Sequence, residues 1–195
     1  VDFGAAGLDL MSVSAHKLGG PVGIGALVVR RGVQVAPVGF GGGQEARLRS
    51  GTVPVALAAG FAAASRAAAS RREQEARRLG RLRDRLIGGA LASVPGSRSN
   101  TIAPCGPAIV NLTFAGARAD DVLLLLDAAG FDASTGSACT AGVHQPSEVL
   151  LAMGRSLDDA SASLRFSFGP GTTPAEVDTL LAVLPGVVER ARAAA

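Results

Sequence analysis

The sequence predicts an α/β fold, and three observations lead there. Short runs rich in β-branched and apolar residues recur at 9–14, 24–30, 108–114 and 161–169, and read as strands. Between them lie segments whose apolar residues fall three and four apart, the spacing of one helix face. Gly- and Pro-rich stretches separate the two kinds of segment. Hydrophobic residues make up 48% of the 195-residue chain and charged residues 18%, which is enough for a core and too little charge for a disordered tail. Aromatics are only 4%, so close backbone approach at Ala and Gly must replace large rings.

Taken in order, DLMSVS (9–14) and IGALVVR (24–30) are strands joined by the loop AHKLGGPVG. A second Gly-rich loop, GFGGGQEARLRSGT, covers 39–52. A helical pattern runs from about Val53 to Val94, with Leu79, Leu82, Leu86 and Ala90 on one face. Gly80 and the pair Gly88-Gly89 are expected to bend or end it. Arg71, Arg72, Arg77, Arg78, Arg81, Arg83 and Arg85 read as a solvated face. A connection from Pro95 to Pro107 leads into the strand AIVNLTF (108–114). The helix ADDVLLLLDAAG (119–130) carries Asp120 and Asp121 in its first turn and Gly130 as its stop. The loop STGSACTAG (134–142), a short helix from Pro146 to about Met153 and the alternating strand SASLRFSFG (161–169) follow. A last helix is expected to be interrupted or bent near Pro185-Gly186.

Several function classes are disfavoured. No uncharged apolar run reaches the length of a membrane span. The N-terminus has no basic region ahead of an apolar stretch and no Met, and reads as cut from something longer. Two cysteines, Cys105 and Cys139, make no disulfide framework, and reduced thiols in the cytoplasm are expected. A net charge of +3 is small for a nucleic-acid binder. Glu73, Glu75 and Asp84 interrupt the Arg run, and the chain has no Trp or Tyr to stack on bases. With two His and no paired Cys spacing, no metal site is expected.

Four places carry chemistry. Lys17, in VSAHKLGGPVGIGAL, is the single lysine among 19 cationic residues. Either it is a chance survivor in an Arg-biased chain, or the position needs a primary amine, which can form a Schiff base where Arg cannot. It falls just past a strand end, where α/β enzymes place their chemistry. The loop GGGQEARLRSGT offers backbone N–H groups to an anion, or is a plain surface loop. Cys139 lies among small residues in a loop, where a nucleophile could move, whereas structural Cys favours apolar elements. In SLRFSFG, Leu164, Phe166 and Phe168 should face the core and Arg165 and Ser167 the other side. Arg165 is then a surface Arg or a planar fork for a carboxylate. Cys105, in APCGP, reads as a spectator thiol and His144 as a solvated loop histidine.

These motifs together resemble the class V aminotransferase-like PLP enzymes of fold type I (aspartate aminotransferase-like). Within them the chain is similar to the group I cysteine desulfurases of the NifS/IscS type. Those carry S-x-H-K followed by G-P-x-G-x-G-A-L, then GG-x-x-E…RSGT, S-S/T-G-S-A-C-T-S/A-G, PS-x-VL-x-A-[ML]-G and R-x-S. The resemblance implies that Lys17 binds pyridoxal 5′-phosphate, with Ser14 and His16 on its phosphate. Thr52 would reach the phosphate of a partner's PLP across a homodimer interface. Arg165 would hold the α-carboxylate of L-cysteine. Cys139 would take its sulfur as a persulfide for an acceptor or scaffold protein, leaving L-alanine. Iron–sulfur cluster assembly and tRNA thiolation are the expected destinations.

The resemblance covers the second half of such an enzyme. Residues 1–72 would be the end of the PLP-binding large domain, and residues 73–195 the small C-terminal domain with the Cys loop. The first half supplies the His that stacks on PLP, the Asp that pairs with its ring nitrogen, and Asn and Gln contacts to the ring oxygen. The expectation is that this chain alone binds PLP poorly and turns over little. A selenocysteine lyase-like enzyme and a non-catalytic dimerising remnant or scaffold are the alternatives.

Overall fold

A computed structural model describes residues 2–136 and 146–194. The chain forms two compact units, Val1–Arg72 and Glu73–Ala195, with the boundary inside a long helix.

The first unit is built on an antiparallel hairpin. Strand β1 (Leu10–Ser14) pairs with β2 (Gly25–Val29), in register from Leu10↔Val29 to Ser14↔Gly25. A 3-10 turn, Ala15–Leu18, follows β1 directly. Gly19 closes it at φ 78°, a left-handed geometry that a residue without Cβ adopts freely. Helix α1 (Val55–Ser93) begins after Pro54. Among described residues 2–72, Ala15 is the one buried hydrophobic. Leu27 and Val28 are exposed, and Val38 and Phe40 are 99% and 95% exposed. This unit has apolar surface but no core of its own.

The second unit holds the core. Its antiparallel sheet has the order β3 (Ser97–Ser99), β4 (Ile109–Phe114), β5 (Ser163–Ser167). Val110 pairs with Phe166 and Leu112 with Leu164, so one sheet face is apolar. With Phe114, these residues join Leu79, Leu82, Leu86 and Ala90 of α1 in a single cluster. Helix α2 (Ala119–Ala128) adds Val122 and Leu126, and the last helix adds Leu184 and Val188. Helices α3 (Glu148–Ala152) and α4 (Leu157–Ser161) are short and capped by Ser147 and Ser156. On the polar sheet face, Asn100 Nδ2 donates to Asn111 Oδ1 at 2.7 Å and Thr113 Oγ1 at 2.8 Å. Thr113 and Ser163 hydroxyls meet at 2.8 Å. Asn100, Thr113 and Ser163 are buried, and these bonds offset their desolvation.

Three expectations are corrected. First, α1 runs unbroken through Gly80 and Gly88-Gly89. Gly89 serves close packing: a Cβ there would lie 2.4 Å from Cδ1 of Leu181. Gly89→Ala sets overpacking of about 1–3 kcal/mol against a helix-propensity gain of about 1 kcal/mol. Because the atoms it meets are the end of the half-buried Leu181 side chain, the net destabilisation should not exceed about 2 kcal/mol. Urea unfolding would measure it, and in a Leu181→Ala background the same change should turn neutral or stabilising. Second, α5 (Pro174–Ala193) is not interrupted at Pro185. Buried Leu184, Val187 and Val188 hold that stretch in the cluster, and packing outweighs the lost backbone bond. Its start is fixed by a capping box between Thr173 and Glu176. The Thr173 backbone N–H, and then its hydroxyl, hold the Glu176 carboxyl below its ordinary range.

Third, the Arg run on α1 is solvated as expected at Arg71, Arg72, Arg77, Arg81 and Arg85 but half-buried at Arg78 and Arg83. Arg78 bonds Glu75 and donates to the carbonyls of Gly169 and Thr172, fastening the β5–α5 connection. Arg85 makes a two-pronged pair with Asp178 at 2.6 and 2.7 Å.

Candidate active site

The Ser14–Lys17 segment owes its form to Ala15. That residue is buried, its N–H donates to Ile24 O at 3.1 Å, and its carbonyl accepts from Gly20 N–H at 2.9 Å. With Ala15 pinned inward, Ser14, His16 and Lys17 are all exposed. The Ser14 side chain makes no capping bond to the turn. A hydroxyl, an imidazole and a primary amine thus stand within four residues, at the end of a strand. This donor set fits PLP, which presents an aldehyde for an amine and a phosphate for hydrogen-bond donors.

Thr52 is exposed and lies two residues before Pro54, in the same unit. It shares no hydrogen bond with the Ser14–Lys17 turn among the described residues. Its loop contains a left-handed turn, with φ of 50°, 54° and 66° at Glu45, Ala46 and Arg47. Left-handed geometry costs L-residues about 1–2 kcal/mol each. The turn is held by Ser50 Oγ–H to Gly42 O at 2.8 Å and by Gly51 N–H to Gln44 Oε1 at 3.1 Å. A cleft of about 680 Å³ in this unit is lined by Leu27, Val29, Val38, Phe61 and Arg49, among others, and includes neither Thr52 nor any of Ser14, His16 and Lys17.

Arg165 lies in the other unit, on β5. Leu164 and Phe166 are buried, while Arg165 and Ser167 are exposed, as strand alternation requires. Arg165 makes no ion pair with a described residue. Its backbone forms a two-bond bridge with Ser134, N–H to O at 2.7 Å and O from N–H at 3.0 Å. Its Nη2–H also donates to Ser134 Oγ at 3.4 Å. Nothing in the local sequence pattern marks Ser134 as a neighbour of Arg165, 31 residues away. Cys139 and His144 lie outside the described residues. Cys105 is exposed, and Arg83 Nη1 stands 3.2 Å from its sulfur.

Among the described residues, no group of three or more His, Cys, Asp or Glu could hold a metal. None of the described helices is long and apolar enough to cross a membrane.

Residues 1–180 match the family model of aminotransferase class-V. The chain is 50% identical over 199 residues to an IscS-like cysteine desulfurase of Mycobacterium tuberculosis, covering 100% of this chain and 50% of that protein. It is 42% identical to cysteine desulfurase IscS 1 of Archaeoglobus fulgidus, covering 98% of this chain and 50% of that one. Among solved structures, a NifS-like protein superposes with a TM-score of 0.80 at 30% identity, over 94% of this chain and 47% of the other. A NifS-like protein from Rickettsia africae gives 0.81 at 27% identity, over 97% and 50%.

The chain belongs to the class-V aminotransferase family, whose members depend on PLP, and is homologous to cysteine desulfurases along its whole length. It spans about half the length of the curated relatives it matches, and its α/β fold matches half of the NifS-like structures.

Proposed function

We propose that this chain contributes the lysine, the thiol and the carboxylate-binding arginine of a cysteine desulfurase, acting on L-cysteine. The observation that carries the reading is the placement of the single lysine. Lys17 sits on an exposed turn beside Ser14 and His16, pinned by buried Ala15.

In this reading Lys17 binds PLP, and Ser14 and His16 donate to its phosphate. Thr52 serves the phosphate of a partner subunit's cofactor in a homodimer. Residues 1–72 are the end of the cofactor-binding domain and 73–195 the smaller C-terminal one. PLP, when bound, supplies an electron sink for the carbon skeleton of the substrate. Arg165 receives the substrate α-carboxylate through its planar fork. The Lys17 amine, once free of the cofactor, takes the Cα proton as a base. The Cys139 thiolate attacks Sγ of the substrate: a sulfur–sulfur bond forms, the Cβ–S bond breaks, and its electron pair stays with the carbon skeleton. Protonation then gives L-alanine, and the sulfur remains on Cys139 as a persulfide for an acceptor protein in the cytoplasm.

The test uses the chain combined with a polypeptide matching the half of its relatives that it does not span. With PLP and L-cysteine, alanine should accumulate, and a persulfide should be found by mass spectrometry on Cys139 and not on Cys105. Cys139→Ser should retain PLP but lose alanine formation by about 10²-fold or more, the usual loss for a missing reacting group. Persulfide on Cys105, or unchanged turnover in Cys139→Ser, would refute the assignment.

A further inference from the structure

We infer that Ser134 is a positioning residue for Arg165, holding its guanidinium in the orientation that receives an α-carboxylate. The inference rests on the reading of Arg165 given above and concerns a residue to which that reading assigns nothing.

Arg165 stands in a row of polar residues crossing the sheet. On one side its register partner on β4 is Asn111, whose side-chain oxygen is engaged by Asn100 Nδ2 at 2.7 Å. On the other side is Ser134, joined to the Arg165 backbone by the two-bond bridge. Paired residues of a sheet point to the same face, so the three side chains share one surface.

The hydroxyl of Ser134 is fully committed. Its proton goes to Gly136 O at 2.9 Å, and its oxygen accepts from Gly136 N–H at 3.2 Å and from Arg165 Nη2–H at 3.4 Å. A hydroxyl has one proton and two lone pairs. Toward Arg165 it can therefore act only as an acceptor, and it cannot rotate away without breaking a bond to Gly136. A guanidinium has five N–H donors. Ser134 occupies one of them, and four are left for a carboxylate that pairs bidentately. A long side chain fixed in advance loses less freedom when it binds. Ser134 thus supplies orientation and Arg165 supplies charge.

The experiment is an NMR titration of the ¹⁵N-labelled chain, combined with PLP and a polypeptide matching the half of its relatives that it does not span. The titrant is L-alanine, which carries the α-carboxylate and has no sulfur to release. The Arg165 Nε–H signal, assigned by its loss in Arg165→Lys, should move with L-alanine and stay still with L-alaninamide, which lacks the carboxylate. In Ser134→Ala the half-saturating concentration should rise about threefold or more, the scale of one lost hydrogen bond. Ser134→Thr, which keeps the hydroxyl, should stay within about twofold of the parent and guards against misfolding of the Ala variant. Half-saturation in Ser134→Ala equal to that of the parent would overturn the inference while leaving Arg165 as the carboxylate receptor. An Arg165 signal that ignores L-alanine in the parent would overturn both.

Discussion

Lys17→Arg should abolish attachment of PLP to this chain and lower sulfur release in the complemented enzyme by about 10²–10⁴-fold, the range associated with loss of a positioned base. Arg keeps the positive charge but is not deprotonated in proteins and offers no free amine, so the substitution separates charge from nucleophilicity. The measurement is borohydride reduction in the presence of PLP, followed by peptide mapping. Lys17 is the single lysine of the chain, and cleavage before Asp9 and after Arg30 puts it in a peptide that excludes the α-amine of Val1. In the parent, the adduct should map to the peptide containing Lys17. In Lys17→Arg it should be absent. An adduct that survives the substitution, or turnover within a few-fold of the parent, would remove the basis for placing the cofactor on this turn.

Phe114→Ala should have the largest effect on the fold. Phe114 is fully buried at the end of β4, and among the fully buried side chains of the described residues it is the largest. Its removal should cost about 3–5 kcal/mol, combining lost transfer energy with the cavity left behind. Domains are stable by only about 5–15 kcal/mol in total, so the variant should sit near its unfolding midpoint at mild denaturant. Guanidinium unfolding followed by far-UV circular dichroism would read the shift. Exposed Phe40, replaced by Ala, is the control and should leave the transition in place. A Phe114→Ala transition coincident with the parent would show that the sheet's apolar face does not carry the stability of residues 73–195.

Local chemistry makes most of the elements legible in the sequence. The apolar and β-branched runs correspond to β1, β2 and β4, the alternating run at 161–169 to β5, and the leucine spacing of 79–90 marks the face of α1 that joins the core. Strand β3 is not legible, because Ser97, Arg98 and Ser99 have no β-branched or apolar member and pair only as an edge. Helix α4 escapes the pattern because five residues are too short for periodicity to emerge, although Ser156 caps it. Gly89 and Pro185 mislead for one reason: local propensity favours a break, and tertiary packing decides otherwise. Arg78 shows the same limit, since its partners at Gly169 and Thr172 lie more than 90 residues away. Of the candidate site, the residue types and their loops are readable as motifs. The pinning of the Lys17 turn by Ala15 and the bridge from Ser134 to Arg165 are not, because both depend on pairing between separated strands.

That Ala15 is the one fully buried residue between residues 2 and 72 makes the order of that stretch a question of mass action. Any surface that binds over Leu27, Val38 and Phe40 stabilises it with the logarithm of that surface's concentration. Dilution should then loosen residues 2–72 while leaving residues 73–195 intact, so the behaviour measured for the Lys17 turn will depend on how concentrated the sample is and on what else is in the tube.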